Sequence, residues 1–224
     1  FSGTSTSVQT IFSTITAIST KSYGVICYYY NNALTFQISD SSNDVGFNYT
    51  TNLFSSWNLV TITRKGGTRS RMYINGSLVA SNTSTINPTY PNSVYPSILG
   101  ADYGGSVPNQ YFCSNGSKID AVSVWNKELT GDEITALYNS GNGVEAPYST
   151  SVSIKSTSDT IGTNHGTAVG GLTYSTGKVG NAFSFNGSSY INLNNDGFKP
   201  TGSFTFTTWA YYSNSSTTQT IATL

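Results

Sequence analysis

Leu59-Val60-Thr61-Ile62-Thr63-Arg64, a Gly66-Gly67 turn, Arg69-Ser70-Arg71-Met72-Tyr73-Ile74, and an Asn75-Gly76 turn into Ser77-Leu78-Val79-Ala80 decide the fold class. Apolar and polar residues alternate along these runs, and a strand sends successive side chains to opposite faces. Asn-Gly between two such runs signals a hairpin, because both central residues of the favoured turn must take positive φ. Upstream, Val25-Ile26-Cys27-Tyr28-Tyr29-Tyr30 leads through Asn31-Asn32 into Leu34-Thr35-Phe36-Gln37-Ile38-Ser39, a second hairpin. Short β-branched runs punctuated by Gly and Asn fill nearly the whole chain, which predicts an all-β antiparallel sandwich. Leu59, Ile62, Tyr73, Leu78, Ile119, Val122 and Val124 are the expected core contributors, since they alternate with polar neighbours.

Helical periodicity occurs once, in Thr130-Gly131-Asp132-Glu133-Ile134-Thr135-Ala136-Leu137-Tyr138. Thr130 with Glu133 three positions on forms a capping box, and Ile134, Leu137 and Tyr138 form a short apolar stripe. The Gly- and Asn-rich stretch after it, closing on residues 146–151, reads as a linker. Residues 83–117 are the longest stretch without strand periodicity and carry Tyr90, Tyr95, Tyr103 and Tyr111 among several prolines. A loop of that length in a sandwich is functional or disordered, so this one is expected at an exposed end of the molecule.

Charged residues make up 9% of the chain, ten basic and ten acidic, for a net charge of zero. A nucleic-acid binder would need a basic face, and the balance supplies none. No apolar run approaches the roughly 18 residues of a membrane-spanning helix, and no signal-peptide pattern opens the sequence. Polarity without charge suits an extracellular, cell-surface or virion surface. Cys27 and Cys113 permit one disulfide, or two small buried side chains. Six glycosylation sequons start at Asn48, Asn75, Asn82, Asn115, Asn186 and Asn214, about the number that so much Asn, Ser and Thr produces by chance.

Five segments in order, Trp57-x-Leu-Val-x-Ile, Arg71-Met-Tyr73-Ile-Asn75-Gly76-Ser-Leu78-Val, Ile98-Leu-Gly100, Ile119-Asp120-x-Val-x-Val-Trp125 and Glu133-Ile-x-x-Leu137-Tyr, resemble the laminin G-like, concanavalin A-like lectin family. Gly177-Lys178-Val179-Gly180-Asn181-Ala182-Phe183-Ser184-Phe185-Asn186-Gly187 and Phe204-Thr205-Phe206-x-x-Trp209 resemble the first third of the same family. The resemblance implies a jelly roll of two packed sheets, a carbohydrate-binding or adhesive module carried by larger extracellular or phage proteins. Residues 1–145 then match the C-terminal two-thirds of a module, and residues 152–224 match the N-terminal third, so the end precedes the beginning. Gln219-Thr220-Ile221 also repeats Gln9-Thr10-Ile11 at an interval of 210 residues. Both features fit one period of a tandem array, with a circular permutant as the alternative. Residues 152–224 must find complementary strands either in residues 1–145 or in the next copy, because half a sandwich leaves strand edges unpaired. The array is the expected arrangement.

Some relatives in this superfamily are glycosidases and need two carboxylates at a fixed separation. Glu128, Glu133 and Glu145 lie beside the helix and in the linker, which predicts no catalysis. His165, between Asn164 and Gly166, reads as a turn residue, and two cysteines with one histidine lack zinc-ligand spacing. The resemblance implies calcium as the one candidate cofactor, with Asp102 and Asp196 as loop carboxylates able to hold it. Asp120 is expected to bond nearby backbone. Trp57, Trp125 and Trp209 occupy family positions that face the core. Tyr90, Tyr95, Tyr103 and Tyr111 are the candidate glycan- or partner-binding residues, while Arg64, Lys65, Arg69 and Arg71 bracket a solvated turn. The expected function is a noncatalytic laminin G-like repeat of a surface protein, an adhesive or filament-forming module whose partners are neighbouring copies. The alternative is a lectin that binds surface glycans with or without calcium.

Overall fold

A computed structural model describes residues 9–13, 16–18, 21–30, 32–90, 97–103, 108–109, 116–144, 166–193 and 199–213. The strands are β1 (Gln9–Ser13), β2 (Thr16–Ile18), β3 (Lys21–Tyr30), β4 (Ala33–Asp40), β5 (Asp44–Thr50), β6 (Trp57–Lys65), β7 (Arg69–Ile74), β8 (Ser77–Thr83), β9 (Ser97–Leu99), β10 (Asp102–Tyr103), β11 (Pro108–Asn109) and β12 (Lys118–Trp125). After helix α1 (Gly131–Tyr138) come β13 (Gly166–Val169), β14 (Thr173–Thr176), β15 (Asn181–Ser184), β16 (Tyr190–Leu193) and β17 (Phe204–Tyr211). Two antiparallel sheets form the sandwich, one in the order β13-β16-β9-β1-β3-β4-β5 with β2 also on β3, the other in the order β14-β15-β12-β17-β6-β7-β8. The antiparallel jelly-roll expectation is met. Asn75 and Gly76 take φ of 52° and 81°, as the β7–β8 hairpin turn requires.

The facing sides of the two sheets enclose one apolar core. Val25, Cys27, Tyr29, Leu34, Phe36 and Ile38 come from the first sheet. Val60, Ile62, Met72, Ile74, Phe204 and Phe206 come from the second. Strand β17 runs between β12 and β6, while β16 pairs with β9, so residues 166–212 contribute to both sheets alongside residues 9–125. Within this chain the later strands therefore fold back onto the earlier ones.

Helix α1 covers the outer side of the seven-stranded sheet, and a smaller cluster of Tyr73, Leu129 and Ile134 lies beneath it with Trp125 and Leu137 against it. The expected capping box is present: the Glu133 N–H donates to Thr130 Oγ1 at 3.2 Å, and the Thr130 N–H donates to Glu133 Oε2 at 2.8 Å. A hydrogen bond from Lys127, then the Thr130 N–H, hold the Glu133 carboxyl below its ordinary range, so this support fades as pH falls through that lowered pKa. Thr130→Ala is expected to cost about 1 kcal/mol of stability in urea unfolding at neutral pH.

Two expectations about packing need correction, and a third is met on an unexpected side of the sheet. Leu78 is 52% exposed, because the Asn75-Gly76 turn sets it opposite Tyr73 on the outer side of the sheet, and the bulge that follows at Val79 brings Val79 and Ala80 against the inter-sheet core. Leu59 and Tyr73 are buried as expected, on the outer side of the seven-stranded sheet, where α1 covers Tyr73. The three tryptophans likewise belong to the outer side of the seven-stranded sheet. Strand pairing sets Trp209 opposite Leu59, Trp57 opposite Tyr211 and Trp125 opposite Thr205, so all share the parity opposite to Val60, Ile62, Phe204 and Phe206.

Cys27 is a free thiol, fully buried on β3, and desolvation raises its pKa well above the ordinary 9.0. Cys113 lies outside the described residues. A folded-state pKa above the unfolded one means that the contribution is complete below pH 9.0 and declines as pH rises beyond it. Alkaline unfolding series of the parent and Cys27→Ala are expected to diverge above that pH, the parent losing stability faster.

Candidate functional site

Strand β12 carries a bulge at Ala121, whose φ is +48°, and the pairing with β17 skips between Asp120 and Ser123. The bulge turns the Asp120 carboxylate toward the tight turn at Gly177–Gly180, in which the Gly177 N–H donates to the Gly180 carbonyl at 2.9 Å. Asp120 Oδ1 accepts from the Ala121 N–H and Oδ2 from the Val179 N–H, each at 2.7 Å. A Cβ on residue 177 would stand 2.5 Å from Asp120 Oδ2 and 2.8 Å from the Ala182 nitrogen, so the approach needs glycine. The expected backbone-bonding role of Asp120 is met, and it ties residues 118–125 to residues 177–180.

Trp209 lies beside this seam, 1% exposed. Tyr138 stacks on it at 5.8 Å and 25°, and Lys178 Nζ stands 5.1 Å from its ring centroid. With Leu59, Ala121, Ser123, Trp125 and Leu137 it lines a shallow hollow under the end of α1. Thr61 and Thr207 hydroxyls bond at 2.8 Å on the same side of the sheet, and Thr205 Oγ1 accepts from the Leu129 N–H while donating to the Lys127 carbonyl, each at 2.8 Å. Helix, loop and turn thus converge on one sheet face, and the arrangement holds chain segments together.

The expected exposed loop at residues 83–117 is not a single loop. Ser97–Leu99 forms β9, which pairs with β16 along its length and with β1 at Ile98 and Leu99, with Ile98 buried. Residues 84–90 form a strap fastened to both sheets. The Arg64 guanidinium donates to the Ser84 carbonyl at 3.3 Å, to the Ile86 carbonyl and to Asn87 Oδ1 at 3.4 Å. The Thr89 N–H reaches the Ser39 carbonyl at 3.3 Å. Arg64 is therefore buried rather than solvated, and burial lowers its pKa. Arg69 makes a bidentate pair with Glu128 at 3.1 Å, and Arg71 stands 3.9 Å from the same carboxylate. Only Lys65 of the four keeps the expected exposure.

Tyr90 is half-buried and its hydroxyl donates to the Pro200 carbonyl at 3.1 Å. Tyr95, Tyr111, Asp196, His165 and Glu145 lie outside the described residues. Asp102 and Tyr103 are placed in β10, paired with Asn109 and Pro108. Leu193, the last described residue before Asp196, is level with Ser97, whereas Asp102 follows the Leu99 end of β9. No group of three or more His, Cys, Asp or Glu side chains able to hold a metal occurs among the described residues. The Arg64 strap carries no motif of its own, whereas both sides of the Asp120 turn lie in segments that the family resemblance rests on. Arg64 at an inward-facing parity on β6 is the one signal that could have disclosed the strap.

Two packed antiparallel sheets, closed by a bulged Ile-Asp strand and a short capped helix, define a lectin-like jelly-roll module. The family model Laminin_G_3, described as the concanavalin A-like lectin/glucanases superfamily, matches residues 2–135, and the chain belongs to that family. A solved structure from Clostridium thermocellum ATCC 27405, of an S-layer domain-containing protein (residues 221–444), matches at 20% identity with a TM-score of 0.31. The match covers 59% of this chain and 64% of that one. No curated protein matches the chain. No helix among the described residues is long and apolar enough to cross a membrane.

Proposed function

We propose that the chain is a noncatalytic laminin G-like module of an extracellular, cell-surface or virion surface protein, an adhesive or structural building block that joins copies of itself head to tail. One observation carries this reading: β17, taken from the segment that resembles a module's beginning, is a central strand between β12 and β6 of the segment that resembles its end. The contacts that close one chain can equally close the junction between two, since exchanging an identical element between copies is a low-cost route to assembly. The noncatalytic reading is supported by the described glutamates. Glu128 is held by Arg69 and Arg71, and Glu133 by Lys127 and the helix cap, so neither is free as an acid or nucleophile.

The competing reading is a lectin, motivated by the superfamily to which the chain belongs. Light scattering across a concentration series and a glycan array with and without chelator separate the two. Concentration-dependent growth with a silent array is the expected result. A monodisperse monomer at every concentration sinks the head-to-tail reading, and chelator-sensitive binding to one sugar class establishes the lectin with calcium.

A further inference from the structure

Strand β1 fills the gap between β3 and β9 in the eight-stranded sheet. Its register sets Gln9 opposite Tyr29, Thr10 opposite Tyr28 and Phe12 opposite both Cys27 and Leu99, with an irregularity between Thr10 and Phe12 that leaves Ile11 as the odd residue. Around the gap, Cys27, Tyr29 and Ile98 are fully buried and Ile26 and Leu99 nearly so. An empty gap would strip ladder partners from two strands and open the core. The slot has to be filled.

The sequence contains a second segment that matches it. Gln219-Thr220-Ile221 repeats Gln9-Thr10-Ile11, including the residue at the irregular position, and Ala222 stands where Phe12 stands. The route to the slot is also in place. Strand β17 is followed by Tyr212, which bridges to Phe54 and whose ring lies 5.4 Å from that of Tyr29. Tyr29 is the register partner of Gln9, so the chain leaves β17 at the end of the slot where β1 begins. Six residues lie between Tyr212 and Gln219, and the seven steps reach roughly 23–25 Å when extended, against a spacing of about 10 Å between packed sheets. The direction is right as well, because a strand entering beside Tyr29 runs antiparallel to β3.

We infer that the gap between β3 and β9 is a strand-accepting site with two interchangeable occupants: β1, and residues 219–223 supplied by the same chain or by a second copy. Occupation by residues 219–223 displaces β1 from that slot. Occupation across copies gives the head-to-tail junction of the proposed function a defined contact, and only this second-copy arm rests on that reading. Alanine at 222 offers less apolar surface than phenylalanine at 12, which makes β1 the stronger occupant.

The test uses the full chain with Cys113→Ser and follows labelling of Cys27 by a thiol reagent. Proline removes a ladder N–H and is not tolerated in a strand paired on both sides. Phe12→Pro and Ala222→Pro therefore disable the two occupants separately. Each single variant is expected to keep Cys27 protected to within about tenfold of the parent, while the double variant labels at least about a hundredfold faster. A synthetic peptide of residues 215–224 added to the double variant is expected to restore protection, and a scrambled peptide is not. If Phe12→Pro alone exposes Cys27 as fully as the double variant, residues 219–223 are not an occupant and the inference falls. Protection retained in the double variant overturns it equally, because the slot then needs neither strand. Failure of the peptide overturns the second-copy arm. A peptide that binds while the parent chain stays monomeric preserves the site and removes the filament reading.

Discussion

Trp209→Ala lowers the free energy of unfolding by about 3–5 kcal/mol, measured by urea denaturation at neutral pH. The side chain is 1% exposed on a central strand, stacked on Tyr138 and approached by Lys178. Removing it takes away the surface onto which the end of α1 docks, and the hollow beside Leu59, Trp125 and Leu137 widens instead of collapsing. Gly143 binds the helix end through its N–H to the Tyr138 carbonyl at 3.2 Å, so the connection out of the helix loosens with it. Trp209→Phe, which keeps an aromatic face for Tyr138, is expected to lose less than half as much. Equal loss in the two variants would show that the stack contributes nothing beyond volume.

Asp120→Ala is the second large effect, about 2–4 kcal/mol, because two backbone N–H groups lose a charged acceptor inside the protein and each such loss costs about 1–3 kcal/mol. The Ala121 N–H belongs to a bulge with positive φ and the Val179 N–H to the Gly177–Gly180 turn, so neither can turn to another backbone partner without moving its segment. Asp120→Asn retains one acceptor oxygen and is expected to fall between the alanine variant and the parent. Gly177→Ala strikes the same contact from the other side, through a Cβ placed 2.5 Å from the carboxylate oxygen. Measuring all three by urea unfolding, with amide exchange at Val179, checks the assignment. Unchanged exchange at Val179 in Asp120→Ala would refute the role given to the carboxylate.

Much of the fold was legible from local signals. The Asn75-Gly76 turn, the Thr130–Glu133 capping box and the alternation through β4 and β6 each depend on residues within a few positions of one another, and all stand where the sequence puts them. Leu78 and the tryptophans were misplaced for a shared reason. Periodicity reports that a residue alternates with its neighbours, but it does not report which side of a sheet is the inter-sheet core when a helix buries the other side as well. A bulge then reverses parity downstream, as at Val79, and nothing local announces it. The charge of Arg64 points to solvent, whereas its parity on β6 sends it inward to the Ser84 and Ile86 carbonyls.

The sequence alone determined the all-β class, the hairpin turns, the capped helix, the backbone-binding role of Asp120 and the presence of two matching Gln-Thr-Ile segments. These follow from chain-local geometry and from motif order. Only the tertiary structure decided that β9 is a central strand inside a stretch without strand periodicity, that residues 84–90 strap the two sheets together, and that β17 ends beside the slot occupied by β1. Each of these joins segments far apart in the chain. Such pairings are selected by the simultaneous filling of ladders and core, a condition that no short window of sequence contains.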